Sequence, residues 1–186
     1  ILSPNATAFL NSLPHKYHEE NCVHGFVIMK IKDFYKCVDE IERFLPFVDN
    51  WAVCDSLRPS TFKYHKKELL PYVEKWIGDT HPYTVRFGIQ MLMLHFLDDA
   101  ELNVYFEKVS DVKSDEYYVN MMISWFFATA FSKSFEKTAM FVEKAYLDNK
   151  LSKWVFCKTI QKACESNRLT TEEKETLRAM KNKLIG

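Results

Sequence analysis

The stretch Tyr72-Val73-Glu74-Lys75-Trp76 recurs in altered form twice further along the chain, as Tyr105-Phe106-Glu107-Lys108-Val109 and as Phe141-Val142-Glu143-Lys144-Ala145. Each copy ends a predicted helix shortly before an aspartate, and a second, more apolar helix follows. Those second helices carry Val85, Val119 and Val155, which are separated by 34 and 36 residues. Such an interval is typical of helix pairs that stack on one another. The repeat therefore predicts an all-α superhelix (solenoid) of stacked HEAT-like helix pairs.

The composition agrees with an all-helical chain. Four glycines and six prolines among 186 residues leave little material for the tight turns of an all-β fold. With 47% hydrophobic and 27% charged side chains, the chain can bury a substantial core, and we expect a single HEAT-like-repeat domain over residues 1–186. No apolar run reaches the length of a membrane span, so we expect no membrane partner.

Capping signals place several helix boundaries. A helix start is predicted at Ser3-Pro4, at His81-Pro82, at Ser114-Asp115-Glu116 and at Thr170, the last with capping-box spacing to Glu173. Before the repeats, we predict a short helix that Pro14 ends and a helix with a polar opening. A further helix over about residues 31–45 and one that ends at Arg58-Pro59 complete this part.

The charge and the cysteines bound the function. The formal net charge is zero, which neither requires nor excludes a nucleic-acid partner, because a local patch sets the field at a binding face. The five cysteines show no metal-ligand spacing, so we expect reduced, mostly buried thiols in a cytosolic protein and no cofactor. His15, His18 and Glu19 have helical spacing that could hold a metal, but the same charged stretch suits the first turn of a solvated helix.

The run from Asp49 to Asp55 mixes an indole, a thiol and two carboxylates, where an ordinary helix would carry aliphatic side chains. If the run is helical, Trp51 and Asp55 share one face and offer a π surface beside a negative charge. This pairing suits a planar cationic ligand, and it also suits a half-buried helix.

Two later residues could join that face, because they lie at similar depth in successive helix pairs. Arg86 follows Trp51 by 35 residues, and Trp125 follows Arg86 by 39. The Arg86 guanidinium can form a fork onto a carboxylate such as Asp55 or onto a phosphate. Trp125 belongs to a stripe of aromatic and methionine side chains, which is more often typical of a core.

A resemblance to a known family rests on four stretches of the chain: Asn50-Trp51-Ala52-Val53-Cys54-Asp55, Tyr83-Thr84-Val85-Arg86, Glu116-Tyr117-Tyr118-Val119-Asn120-Met121-Met122-Ile123-Ser124-Trp125 and Ile160-Gln161-Lys162-Ala163-Cys164-Glu165-Ser166. From about residue 15 onward, the chain resembles the HEAT-like-repeat alkylpurine DNA glycosylases that bacteria use for DNA alkylation repair. The resemblance implies hydrolysis of the N-glycosidic bond of cationic N3- or N7-alkylated purines in double-stranded DNA. It also implies a monomer in the bacterial cytoplasm, associated with the nucleoid.

The resemblance also implies roles for individual residues. Trp51, Asp55, Arg86 and Trp125 match the Trp, Asp, Arg and Trp that line the family's DNA-binding cleft. Asp55 would stabilise the positive charge on the sugar and orient water, Arg86 would hold a phosphate, and the two tryptophans would lie against the sugar and backbone. Tyr118 and Lys162 are further candidates for the same groove, although a packing tyrosine and a solvated lysine are the simpler interpretation. Family members act without moving the base into a deep pocket.

Two other functions remain open at the level of sequence. The neutral charge suggests that DNA contact is confined to a narrow stripe such as Lys158, Lys162 and Arg168, and a catalytically inactive protein that binds unusual DNA structures is one alternative. The other is a scaffold whose concave face binds a peptide helix.

Overall fold

The computed structural model describes residues 3–186, and these residues form α-helices joined by short connections, with no β-strand among them. The prediction of an all-α fold is confirmed. The eleven α-helices are α1 (Pro4–Leu10), α2 (His18–Ile28), α3 (Phe34–Phe44), α4 (Trp51–Ser56), α5 (Lys66–Ile77), α6 (Pro82–His95), α7 (Leu102–Ser110), α8 (Tyr117–Phe131), α9 (Phe135–Leu147), α10 (Lys153–Glu165) and α11 (Thr171–Ile185). Two single 3-10 turns cover Leu45–Phe47 and Phe62–Tyr64.

Side-chain caps fix several of these boundaries. The Ser3 hydroxyl accepts from the Ala6 amide at 3.2 Å, and Thr170 caps α11 as predicted. Helix α3 begins at Phe34 rather than near residue 31, because the Asp33 carboxylate accepts from the Lys36 amide at 2.9 Å. Helix α4 ends at Ser56, before the predicted Arg58-Pro59, because Leu57 already has an extended backbone.

The chain divides into two compact units, and the boundary falls within α6, between Gly88 and Ile89. The core of the first unit contains large aromatic side chains that are fully buried, among them Phe44, Phe62, Trp76 and Phe87. The Trp76 and Phe87 rings meet edge to face at 5.0 Å, which joins α5 to α6. Gly88 is required at this contact, because a Cβ there would lie 2.9 Å from the Ile77 backbone nitrogen.

The second unit shows the alternating contacts expected of stacked helix pairs. Its most extensive helix contact joins α8 to α10, and α7 also packs on α9 as α9 does on α11. Each helix therefore contacts its counterpart in the next pair. The buried rings of Phe106, Phe126, Phe127 and Phe156 fill the space between the layers. None of the helices over residues 3–186 is both long and apolar enough to cross a bilayer.

The cysteines are all free thiols, but only Cys37 and Cys54 are buried. The expectation of mostly buried thiols is wrong for Cys22, Cys157 and Cys164, which are partly exposed. Each of these three lies on a helix face that only partly enters the core. Burial raises the pKa of the Cys37 thiol to about 12, and the Glu40 carboxylate adds to that shift.

Candidate functional site

An ion pair between Asp55 on α4 and Arg86 on α6 forms the centre of the candidate site in the first unit. Arg86 Nε donates to Asp55 Oδ1 at 2.8 Å, and Nη2 donates to Oδ2 at 2.7 Å. The Asp55 side chain is only 12% exposed, and the Arg86 side chain only 6%. Two parallel charge-assisted hydrogen bonds fix the plane of the carboxylate. Of the two partners predicted for this guanidinium, the structure shows the carboxylate.

Helix α4 is short, and two contacts hold it in place. The Asn50 carbonyl Oδ1 accepts from the Val53 amide at 3.0 Å and caps the helix. The buried Cys54 thiol donates to the Tyr83 carbonyl at 3.4 Å, which ties α4 to the start of α6. Burial raises the pKa of Cys54 well above its usual range, so the sulfur keeps the proton that it donates. The Asn50 cap and the hydrogen bond of Cys54 therefore fix the backbone of the helix that carries the Asp55 carboxylate.

Trp51 is the first residue of α4 and is 51% exposed, although it is a large aromatic residue. Because residues four apart lie on one helix face, its indole stands on the same side of α4 as Asp55. The predicted helical spacing of these two residues is confirmed, since α4 contains both. An exposed π surface and a rigidly held carboxylate thus lie next to each other on one short helix.

His18 on α2 contacts this region, which the sequence did not predict. The Asn50 amide Nδ2 donates to Asp49 Oδ1 at 2.8 Å, and it lies 3.4 Å from His18 Nδ1. His18 Nε2 lies 3.5 Å from the Cys22 sulfur. No local sequence signal reports such a contact between residues that are 32 positions apart.

The alternative of a metal bound by His15, His18 and Glu19 is not supported by the geometry. The His15 Nε2 is hydrogen-bonded to His24 Nδ1 at 2.8 Å, and the fully buried His24 ring stacks on Phe44 at 4.2 Å. Burial, together with the nearby His15 and Arg43, lowers the pKa of His24 to about 4. Across residues 3–186, no group of three or more ligating side chains could hold a metal. This segment joins α1 to α2 and α3.

In the second unit, Trp125 on α8 is paired with Lys162 on α10. The Lys162 Nζ lies 5.9 Å from the centroid of the Trp125 ring, within the range of a cation–π contact. Trp125 is partly exposed, whereas its neighbours Phe126 and Phe127 are buried, so it lies at the edge of the core. Lys162 is also partly exposed, so the interpretation of a solvated lysine and a role in the groove both stay predictions.

Tyr118, near the start of α8, is 40% exposed, and its ring meets that of Tyr117 edge to face at 5.2 Å. Tyr118 therefore packs on a neighbouring ring while part of its surface stays accessible, and its place in a DNA groove stays a prediction. Sequence reasoning did not single out Tyr117 or Trp154 as functional residues. Both are large exposed aromatic residues, and their rings are 5.6 Å apart.

The predicted site residues therefore form two groups. Trp51, Asp55 and Arg86 belong to the first unit, and Tyr118, Trp125 and Lys162 belong to the second. The structure brings Asp55 and Arg86 into contact, and it does the same for Trp125 and Lys162. That both groups line one cleft stays a prediction.

The comparison with protein families gives one match. Residues 6–163 match the family described as DNA alkylation repair enzyme. The matched span contains all six candidate residues and ends within α10, so α11 lies outside it. Neither the curated proteins nor the solved structures contain a match to this chain.

Proposed function

Because this chain belongs to the DNA alkylation repair enzyme family, we propose that it is a DNA glycosylase for cationic N3- or N7-alkylated purines in duplex DNA. The observation that carries the proposal is the carboxylate of Asp55, which two Arg86 hydrogen bonds hold beside the exposed Trp51. We further propose that the protein acts as a monomer in the bacterial cytoplasm, at the nucleoid.

A cationic alkylated purine can leave the sugar without protonation by a general acid. Alkylation at N3 or N7 gives the purine a positive charge, so the base departs as a neutral molecule when the bond from C1′ to the ring nitrogen breaks. The electron pair of that bond stays with the base, and the sugar acquires oxocarbenium character. Water then adds to C1′ and loses a proton, which leaves an abasic site. The protein has to stabilise a positive charge and position water.

Asp55 meets both requirements in this proposal. A carboxylate that is already oriented when the charge develops needs no reorganisation at that moment, and such electrostatic preorganisation is a large contribution to catalysis. The fork from Arg86 supplies that orientation. Since the guanidinium is 6% exposed and already bonded to Asp55, we assign Arg86 to positioning the carboxylate rather than to holding a phosphate.

The aromatic residues and Lys162 would hold the DNA. The exposed indole of Trp51 offers a π face to the cationic sugar or base. In the second unit, Trp125 and Tyr118 would lie against the backbone, and the Lys162 ammonium would contact a phosphate. A phosphate contact of this kind gives affinity and register without reading the sequence.

The test is base release from methylated duplex DNA by the intact protein and by Asp55→Asn. We expect release by the native chain and a loss of about 100-fold or more in the variant, because the shape is kept while the charge is removed. A native chain that binds DNA but releases no base would contradict the glycosylase and favour an inactive binder of DNA. Release that is unchanged in Asp55→Asn would remove the role given to Asp55.

The dependence of DNA affinity on salt concentration distinguishes the proposed DNA glycosylase from a peptide-binding scaffold. Contacts with phosphates release counterions, so the affinity for DNA should fall steeply as the salt concentration rises. A scaffold would show no such salt-dependent affinity for DNA.

A further inference from the structure

A basic groove lies between α10 and α11, and none of the six candidate site residues lines it. It has a volume of about 530 Å³ and is lined by Lys153, Trp154, Cys157, Lys158, Gln161 and Lys181. Three of the six lining side chains are lysines, and none is a carboxylate. The chain as a whole has equal numbers of basic and acidic residues, 25 of each. The groove therefore concentrates positive charge locally, which suits an anionic ligand.

An exposed tryptophan stands at this groove. Trp154 is 41% exposed, and the Tyr117 ring braces it edge to face at an interplanar angle of 66°. The Lys158 Nζ lies 5.8 Å from the Trp154 ring centroid and donates to Gln161 Oε1 at 2.8 Å. Glu165 is one step further away, where its Oε1 accepts from Gln161 Nε2 at 2.8 Å. The positive charge of Lys158 thus lies next to the Trp154 ring, which Tyr117 contacts from α8.

We propose that this groove binds a single-stranded nucleic-acid segment, with one unpaired base against Trp154 and its phosphates on Lys158 and Lys181. The inference rests on the proposed function in taking DNA as the ligand. In a duplex, neighbouring base pairs stack and cover the ring faces of the bases. An exposed indole can therefore stack only on a base that is unpaired. A cavity of about 530 Å³ is within the range of sites that hold a nucleotide-sized group.

The arrangement of the lysines favours a strand over a free nucleotide. Lys153 and Lys158 come from α10 and Lys181 from α11, so both helices that line the groove contribute cations. Lys162 follows Lys158 by one helical turn on α10, which extends the basic surface to the Trp125 pair. A chain of successive phosphates can contact several such positions at once.

Five of the six residues that line the groove lie within the span that matches the repair family, and one lies beyond it. The match to the repair family ends at residue 163, whereas Lys181 lies on α11. Of the proposed contacts, only the phosphate contact of Lys181 therefore lies outside the matched region.

The experiment measures the binding of a labelled oligothymidylate of about ten nucleotides, a length within the site size of single-strand binders, by fluorescence anisotropy. We expect Trp154→Ala to weaken binding about tenfold, Trp154→Phe to restore most of it, and Tyr64→Ala, at a 74% exposed tyrosine of the first unit, to leave it unchanged. The double variant Lys158→Gln and Lys181→Gln should lower the slope of log affinity against log salt by about 1.4. Lys137→Gln with Lys144→Gln, two exposed lysines of α9, is the matched control and should leave the slope unchanged.

Three results would overturn the inference. An abasic oligonucleotide that binds as tightly as oligothymidylate would exclude stacking on Trp154. Thymidine monophosphate that binds as tightly as the oligonucleotide would exclude a strand site. Duplex DNA without alkylated bases that competes at Trp154 as well as the single strand would exclude the preference for unpaired bases. Oligothymidylate carries no purine and needs no base release, so its binding by the native chain separates this inference from a failure of the glycosylase proposal.

Discussion

At the scale of single residues, the pair of Asp55 and Arg86 decides most of the candidate site. Both charged groups are largely buried. Removal of either one leaves the other as a buried charge without compensation. The sequence predicted the fork as one of two options for Arg86, since its residue type and helix position allow either a carboxylate or a phosphate. Only the approach of α4 to α6 selects the carboxylate.

Removal of the Asp55 carboxylate should therefore also reduce stability. We expect Asp55→Ala to lower the free energy of unfolding by about 3–5 kcal/mol, because Arg86 is left buried without its partner. Asp98→Ala is the matched control, since Asp98 is 72% exposed in its ion pair with Lys133 and should cost less than about 1 kcal/mol. Urea unfolding of the two variants and the native chain measures the difference. Equal losses in both variants would mean that the Asp55 pair is not buried in solution.

His24 provides a second prediction at this scale, on pH. Its pKa is about 4 in the folded chain against 6.5 for an unperturbed histidine. The unfolded chain therefore takes up a proton below pH 6.5 that the folded chain does not bind until the pH approaches 4. Stability is complete above this window and should fall by about 3 kcal/mol as the pH drops through it.

Urea midpoints between pH 7 and pH 4 test this dependence. His24→Phe, which keeps an aromatic ring against Phe44, should flatten the fall in stability. His65→Gln is the control at a histidine whose side chain is 40% exposed, and it should keep the native slope. If the stability of His24→Phe falls with pH as steeply as that of the native chain, other groups cause the pH dependence.

At the scale of the element, α4 is too short to be stable by its own helix propensity. The Asn50 cap and the contact from Cys54 to Tyr83 compensate for this. The sequence predicted a helix here, but it predicted an end two to three residues too late. The end was missed because Leu57 already has an extended backbone, which the spacing of apolar residues does not reveal.

The cap of α4 should consequently matter for activity more than for stability. We expect Asn50→Ala to cost about 1 kcal/mol of stability, and to lower base release further than that loss explains, because Trp51 and Asp55 lose their fixed positions. Asp33→Ala removes the equivalent cap of α3 and should cost a similar amount of stability while base release is retained. Base release and unfolding are both measured for each variant. Parallel losses of activity in the two variants would assign the effect of Asn50 to stability alone.

At the scale of the whole molecule, the neutral net charge requires DNA contacts to be local. Lys162 is one of the cations that we assign to a phosphate. Lys162→Gln should weaken duplex binding to any sequence and reduce the salt slope of log affinity by about 1. Lys137→Gln, at an exposed lysine of α9, should leave that slope unchanged. A slope that is the same in both variants would remove Lys162 from the interface.

The sequence by itself determined the all-α class, most helix starts and the shared face of Trp51 and Asp55. These features depend on periodicity, capping and spacing within a few residues, which are local properties. The tertiary structure alone decided that Arg86 meets Asp55, that His15 meets His24, and that Lys162 covers Trp125. Contacts between distant residues depend on how helices pack, and side-chain periodicity defines which face of a helix is apolar without defining its partner.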